Sequence, residues 1–353
     1  MAIQLSDFGY DQKFINFNTF SETLSRKDFI LGASVKQFEQ VFAQYNLAPD
    51  CVSTANCTDA LRICLQVMGV QPGDTVAVPS FTWLSTAEVV LQLGANCLFI
   101  DVDETLTIDT NDLDRKLQAH PNTKACIFVD LFGNVANRKQ IEAIAKRNNT
   151  LLIEDAAQAT GAVSYNGYPI CYSFYPTKNL GCWGDAGAVV CDSDFAEHIR
   201  SLRNHGQGSK KFIANSVGWN SRMDSIQADI LLQKLPYLNE WNSRRRDIAE
   251  QYKKHINIPH ELQKINTDYE PVYHQYVLIT DRAEQIQQHL SKYDIQTRMY
   301  YSTPIHKLPL YNNGQTLSYT ESLSGRNVCI PVHQYLTDQE VNLIIKTVNE
   351  VNV

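Results

Sequence analysis

Residues 124–157, KACIFVDLFGNVANRKQIEAIAKRNNTLLIEDAA, decide the fold class. Two short apolar runs, KACIFVDL (124–131) and LLIEDAA (151–157), flank a segment, Asn137 to Arg147, that places Ile141 and Ile144 at helical spacing. Strand, helix, strand over so short a distance is the repeating unit of a parallel sheet, because parallel neighbours need a crossover connection. The pattern extends outward in both directions. TVAVPS (75–80), NCLFIDV (96–102) and GAVVCD (187–192) read as further strands. Asp59 to Met68 is a second crossover helix, with Leu61, Cys64, Leu65 and Met68 on one face. From about Val52 to Asp192 the chain is therefore predicted to be α/β, a mostly parallel sheet flanked by helices.

After Arg222 the pattern changes. SIQADILLQKLPYLNEWNSRRRDIAEQYKKHI reads as amphipathic helix that Pro236 kinks or interrupts. HQYVLIT (274–280) is a strand, AEQIQQHLSKY a helix and TDQEVNLIIKTVNEV a capped C-terminal helix. This predicts a smaller C-terminal α+β domain. The division falls within 236–250: residues 1–240 form an N-terminal segment plus the large α/β domain, and 241–353 the small one. Arg244, Arg245 and Arg246 read as a solvated helix face.

A chain of 353 residues suits two domains, and 44% hydrophobic with 20% charged residues is ordinary globular composition. The net charge of −7 argues against nucleic acid as a partner, since phosphate recognition needs a basic surface. The start, MAIQLSDFGYDQ, lacks the apolar core of a signal peptide, and no later window has the length of a membrane span, so a soluble, cytoplasmic protein is expected. The nine cysteines are odd in number and scattered, with no C-x-x-C, which points to neither a zinc site nor a disulfide framework. Cys64, Cys97 and Cys126 lie in apolar runs and read as small buried hydrophobes.

Open α/β sheets bind ligands at the carboxyl ends of their strands, which directs attention to Asn56-Cys57-Thr58-Asp59, Phe81-Thr82-Trp83, Asp155 with Gln158, and Lys178. Lys178 sits in SFYPTKNLG (173–181), an aromatic, proline and glycine stretch. A desolvated lysine there is a Schiff-base former; the alternative is a snorkelling surface lysine. Asp155 directly follows an apolar strand, where a carboxylate is costly unless something cationic lies opposite: a protonated pyridine nitrogen, a buried ion pair or a helix cap. Thr58 and Asn56 open a helix whose free N–H groups and dipole make an anion site, and simple N-capping is compatible with that. Trp83 reads as a stacking ring or as core. Electron sink, Schiff base, phosphate cradle and stacking ring are together what pyridoxal 5′-phosphate demands.

The order and spacing of these segments resemble the nucleotide-sugar aminotransferases, which are fold type I enzymes of the aspartate aminotransferase superfamily. SFYPTKNLGCWGDAGAVV looks like their lysine motif. The resemblance runs from FILGASVKQFEQVFAQY (29–45) through VQPGDTVAVPSFTW, IEDAAQATGA, RNHGQ (203–207) and GWNSRMDSIQADIL (218–231) to YYSTPIHKLPLY (300–311). It implies that Lys178 forms the Schiff base and moves the proton, that Asp155 pairs with the pyridine nitrogen, and that Trp83 stacks on the ring. By the same resemblance Gln158 faces the ring hydroxyl, Thr58 with its neighbouring amides and Ser173 hold the phosphate, and Asn220 reaches the phosphate from the partner subunit of a homodimer. The substrates implied are a nucleotide-linked keto sugar, aminated at C-3 or C-4, and an amino-acid donor, glutamate. His205 and His306 fall in segments the family places near the sugar or its diphosphate; satisfied core histidines are the alternative. Arg222 is an anion contact or an intersubunit salt bridge.

Two departures from the family stand out. Cys57-Thr58 replaces Gly-Thr, so the backbone must approach the phosphate without glycine's freedom, and Cys57 is either a reactive thiol or a small buried residue. The connection YNGYPICYSFYP is several residues short, which bears on the loop over the sugar. Lysine at 178 argues against the related dehydratases, which carry histidine there. A non-catalytic or regulatory relative is the other rival, disfavoured by the joint presence of Lys178, Asp155, Gln158 and Asn220.

Overall fold

The computed structural model describes residues 2–6, 10–208, 210, 212–312 and 314–351. The first part of the chain runs α1 (Asn18–Arg26), α2 (Ala33–Tyr45), β1 (Asp50–Thr54), α3 (Cys57–Val67), β2 (Thr75–Pro79), α4 (Ser85–Gln92), β3 (Asn96–Ile100), α5 (Thr110–Ala119), β4 (Thr123–Val129), α6 (Arg138–Asn148), β5 (Leu151–Asp155), β6 (Ile170–Ser173), β7 (Gly187–Cys191), α7 (Ser193–Leu202) and α8 (Ser225–Lys234). Its strands form one sheet ordered β1-β7-β6-β5-β4-β2-β3. Four neighbouring pairs from β3 to β6 are parallel, and β7 runs antiparallel to both its neighbours.

Alternation along the strands assigns the two faces. Ile127 and Ile153 pack with Leu61, Cys64 and Leu65 of α3 and with α4 and α7 on one face. Cys126, Phe128 and Leu152 point the other way, onto Leu113 of α5 and Ile141 and Ile144 of α6. On that second face, toward β1 and β7, α2 and α8 close a further cluster around Phe38, Phe42, Tyr172 and Leu231. With period two, Asp155 shares Ile153's face, toward the start of α3, and Glu154 shares Leu152's. β1 and β6 were not anticipated as strands. β6 lies within the short connection after Asn166-Gly167-Tyr168-Pro169 and pairs with both β5 and β7.

The second part contains α9 (Leu238–His255), β8 (Glu261–Leu262), β9 (Tyr276–Ile279), α10 (Ala283–Ser291), α11 (Ser318–Ser322), β10 (Asn327–Ile330) and α12 (Asp338–Asn349), with an antiparallel sheet β10-β9-β8. Pro236 sits in a 3-10 turn that separates α8 from α9. α9 crosses the 240/241 division: Leu238 belongs to the large unit's core, while Ile248, Ala249 and Tyr252 belong to the small one's. Ile3, near the N-terminus, makes an isolated parallel bridge to Ile295 and packs in the small unit's core, so residues 2–6 side with the C-terminal part. Thr337 and Glu340 form a capping box at the start of α12, worth about 1 kcal/mol.

The arginine run is not a solvated face. Arg245 is buried and donates to the carbonyls of Val332 (2.7 Å) and Tyr273 (3.1 Å) and to Gln334 Oε1. Burial depresses its guanidinium to about 10. It thereby ties α9 to the chain on either side of the small sheet. No described helix is long and apolar enough to cross a membrane.

Behind the sheet, Arg138 lies 3.1 Å from Glu154 Oε2, and Asp130 is buried nearby. Burial raises both acids, Asp130 to about 6, with the Arg138 charge pulling the other way. One cation between two buried carboxyls leaves one of them protonated. An acid whose folded value lies above its unfolded value stabilises fully below the unfolded value, and that contribution is lost as pH rises from about 4 to about 6. Asp130→Asn is accordingly expected to lower stability at pH 4 relative to pH 7 by about 2 kcal/mol compared with wild type, read from urea unfolding at both pH values. An unchanged difference would place the shared proton elsewhere.

Candidate active site

β5 ends at Asp155, whose carboxyl is only 5% exposed. Its Oδ1 accepts from the Ala157 N–H (3.2 Å), its Oδ2 accepts from the Thr86 hydroxyl (3.0 Å), and the Cys57 thiol lies 4.0 Å from Oδ1. Burial raises this carboxyl, while the two hydrogen bonds and the charge of Lys178 hold it down. It caps no helix and forms no salt bridge among the described residues. A buried acid held by donors at the end of a sheet strand is a seat for a cation.

Lys178 is delivered by the turn after β6. Its N–H donates to the Tyr175 carbonyl (2.8 Å), and Cys182 N–H closes the turn on Phe174 O (2.8 Å). A Cβ at Gly181 would come within 2.4 Å of the Pro176 carbonyl, so the loop needs glycine there to fold back on itself. That geometry explains the aromatic, proline and glycine residues around one lysine. Burial depresses the Lys178 amine, and the charges of Cys57 and Asp155 oppose it. Because burial also pushes the Cys57 thiol well up, the thiol stays protonated and the opposing charge is that of Asp155. Cys57 is thus a small buried residue and not a reactive thiol.

α3 begins beside these two groups. Asn56 is its N-cap, accepting from Asp59 N–H (2.8 Å), as the capping alternative anticipated. The Thr58 hydroxyl meets that of Ser85 at 2.7 Å. Asn56 is extended, Cys57 is helical and none of residues 55–58 has positive φ, so this backbone does not use the freedom that a glycine at 57 would give. The glycine that matters is Gly187 on β7: a Cβ there would sit 2.5 Å from the Asn56 carbonyl carbon and 2.7 Å from Cys57 N. The close approach of β7 to the α3 N-terminus shapes a cradle of free N–H groups suited to a phosphate. Ser173, on β6 and paired with Gly187, accepts from the Tyr175 N–H (3.3 Å).

Trp83, on the loop from β2 to α4, is 57% exposed and therefore not core. Its ring lies 6.2 Å from that of Tyr301. Gln158 accepts from Phe132 N–H (2.7 Å) and reaches the Tyr301 hydroxyl at 3.5 Å. Asn220 and His205 are exposed on paired segments, with Asn220 bridging Asn204 and His205 N–H donating to Trp219 O (2.8 Å). Arg222 is part-buried and donates to Asn204 Oδ1 (3.2 Å). Next to Asn220, the Ser221 hydroxyl accepts from Ala55 N–H (3.1 Å), just ahead of α3.

Of the two readings of His306, the structure favours the core histidine: it is fully buried, with Nδ1 against Ser80 Oγ (2.5 Å) and Nε2 against Glu321 Oε1 (3.1 Å).

Sequence reading missed Thr86 and Tyr301, and also the chain behind the lysine, where Asn179 donates to Asn242 Oδ1 and the Val272 carbonyl (both 2.8 Å). That orientation turns Asn179 Oδ1 to the buried His274 Nδ1 at 3.3 Å. Burial and the charges of Lys178 and Arg245 keep His274 neutral. Asn179 and Tyr301 lie inside the quoted segments SFYPTKNLG and YYSTPIHKLPLY without a role having been assigned to them, whereas Thr86, Asn242 and His274 lie outside every family segment and only folding brings them to the site.

A sheet whose strand ends set a depressed lysine opposite a donor-held acid, beside a helix N-terminus, defines an aminotransferase-type centre. The chain belongs to the DegT/DnrJ/EryC1/StrS aminotransferase family, whose pattern matches residues 12–349. It is 36% identical over 334 residues to UDP-2-acetamido-2-deoxy-3-oxo-D-glucuronate aminotransferase of Pseudomonas aeruginosa, covering 91% of each chain. It is 34% identical over 348 residues to a pleiotropic regulatory protein of Geobacillus stearothermophilus, covering 93% of this chain and 92% of that one. The crystal structure of a Bacillus subtilis relative, NtdA, with bound cofactor PMP superposes with a TM-score of 0.89 at 28% identity, covering 99% of this chain and 85% of that one.

Proposed function

We propose that this protein binds pyridoxal 5′-phosphate and transfers an amino group, donated by glutamate, to the keto carbon of a nucleotide-linked sugar. The observation that carries the reading is that the buried, donor-held Asp155 carboxyl at the end of β5 and the Lys178 turn after the neighbouring parallel strand β6 share the sheet's carboxyl edge. The residues fit the cofactor: an acid for its ring nitrogen, an amine for its aldehyde, the cradle formed where Gly187 meets α3 for its phosphate, and Trp83 for its ring face.

When bound, the cofactor supplies the electron sink that lets a proton leave the carbon bearing the amine. The chain's own residues do the rest. Lys178, its basicity lowered by burial, is unprotonated in a larger fraction than a surface lysine; in the donor half-reaction it would take the proton from the donor's α-carbon and give it up to the cofactor side, and in the acceptor half-reaction it would return a proton to the sugar carbon that receives the nitrogen. Asp155 stays ionised through Thr86 and Ala157 and keeps the ring nitrogen protonated. Thr58, Ser173 and the α3 amides fix the phosphate, Gln158 faces the ring hydroxyl, and Asn220 completes the phosphate site of the other subunit in a homodimer. Arg222, part-buried, and His205, exposed, are assigned to the diphosphate of the substrate.

Borohydride reduction of the protein with pyridoxal 5′-phosphate is expected to fix the cofactor on the peptide containing Lys178, and an adduct on another lysine would overturn the assignment. A panel of nucleotide-linked 3-keto and 4-keto sugars with glutamate, read by mass spectrometry, tests the reaction. The 3-keto arm is the one expected to respond, since the Pseudomonas aeruginosa relative is named for a 3-oxo sugar. A regulatory role, suggested by the name of the Geobacillus stearothermophilus relative, predicts cofactor binding with no amination of any sugar in the panel.

A further inference from the structure

The stretch that leads from the β2–α4 loop into the first turn of α4 does more than present Trp83. Within Thr82-Trp83-Leu84-Ser85-Thr86, Ser85 touches Thr58 at the helix cradle and Thr86 touches Asp155 at the strand end, so one short segment contacts both ends of the site. Thr86 is fully buried and Thr82 nearly so. A threonine hydroxyl has a single proton and an ionised carboxylate can only accept, so Thr86's proton is spent on Asp155 Oδ2. Its oxygen then accepts from Thr82, whose hydroxyl lies 3.3 Å away. The result is a directed chain, Thr82 to Thr86 to Asp155, with the Ala157 N–H holding the other carboxylate oxygen.

We infer that Thr86 is a positioning residue that keeps Asp155 ionised and aimed at the cofactor's ring nitrogen, and that Thr82 orients Thr86. The inference rests on the cofactor reading above. A buried carboxylate that loses a hydroxyl donor loses a charge-assisted bond, and the protonated form gains at its expense. An acid that is partly neutral no longer prefers a pyridinium to an uncharged ring.

The test uses the full chain, stripped of cofactor and reloaded with either pyridoxal 5′-phosphate or its analogue carrying carbon in place of the ring nitrogen. Wild-type protein is expected to bind the nitrogen-bearing form more tightly. Thr86→Val should lower that preference about tenfold, from the loss of one hydrogen bond to a charged group, while affinity for the carbon analogue stays the same. Thr86→Ser should keep the wild-type preference. Thr82→Val should lower it less, and serves as the readout where Thr86→Val does not fold. Equal weakening toward both ligands in Thr86→Val, or an unchanged ratio in both valine variants, would overturn the inference, because a purely structural role does not discriminate ring nitrogen from carbon. Failure of the wild type to bind either ligand would remove the cofactor reading itself, a result distinct from a lost preference.

Discussion

Asp155→Asn is expected to lower turnover by about a hundredfold or more while the lysine adduct still forms. Asparagine keeps the size of the side chain and can still accept from Ala157 N–H, so the β5 end and the neighbouring Thr86 stay in place. What is lost is the negative charge. The ring nitrogen is then no longer held protonated, and the carbanion formed when the donor's proton leaves has nowhere to spread. On the proposed reading, binding rests mainly on Lys178, the backbone amides of the α3 cradle and Ser173, which the substitution leaves in place, so cofactor affinity should change far less than kcat. Measuring both on one preparation separates the roles: near wild-type turnover would show that the electron sink is governed by another group, and lost affinity with intact kcat would reduce Asp155 to an anchor.

The sheet was legible because its strands are buried on both faces, and such strands appear as short apolar runs between helices of helical period. β6 escaped because Ile170–Ser173 is four residues long and follows a turn sequence, so its strand character comes from pairing with β5 and β7 rather than from its own composition. The Lys178 and Asp155 signals were readable since each is a polar residue in a place where burial must be compensated. Arg245 was misjudged for the converse reason, and His306 could not be decided from sequence on the same ground. A run of arginines looks solvated until backbone carbonyls of Val332 and Tyr273 are folded against it, and His306 finds Ser80 from the other end of the chain. Thr86 lies only three residues beyond Trp83, yet nothing in a helix-opening threonine announces that its hydroxyl serves an acid 69 residues away. The worry raised by Cys57 dissolves on the same grounds: the close approach that needs a glycine is made by Gly187, on a strand that sequence reading placed correctly but could not place beside α3.

Whether the site is shared between subunits is decided by mixing two dead proteins. Asn220 is exposed in the single chain, and its neighbour Ser221 holds Ala55 ahead of the chain's own α3, so Asn220 is accessible to a partner while lying on a segment near its own cradle. Asn220→Asp would set a carboxylate against the phosphate, and Lys178→Ala removes the base, so each homodimer should be nearly inactive. On free mixing by co-expression, half the dimers contain one subunit of each kind. If Asn220 serves the partner's phosphate, one site of each mixed dimer collects both defects, and the other pairs an intact Lys178 with an intact Asn220. Roughly a quarter of wild-type activity should then return, as two-fold symmetry requires. If Asn220 serves its own subunit, every site in every dimer carries one defect or the other, and no activity returns even when native mass spectrometry confirms mixed dimers. The recovered quarter therefore separates the shared site from the self-contained one with no assumption about which sugar is used, because the same substrate reports on all three preparations.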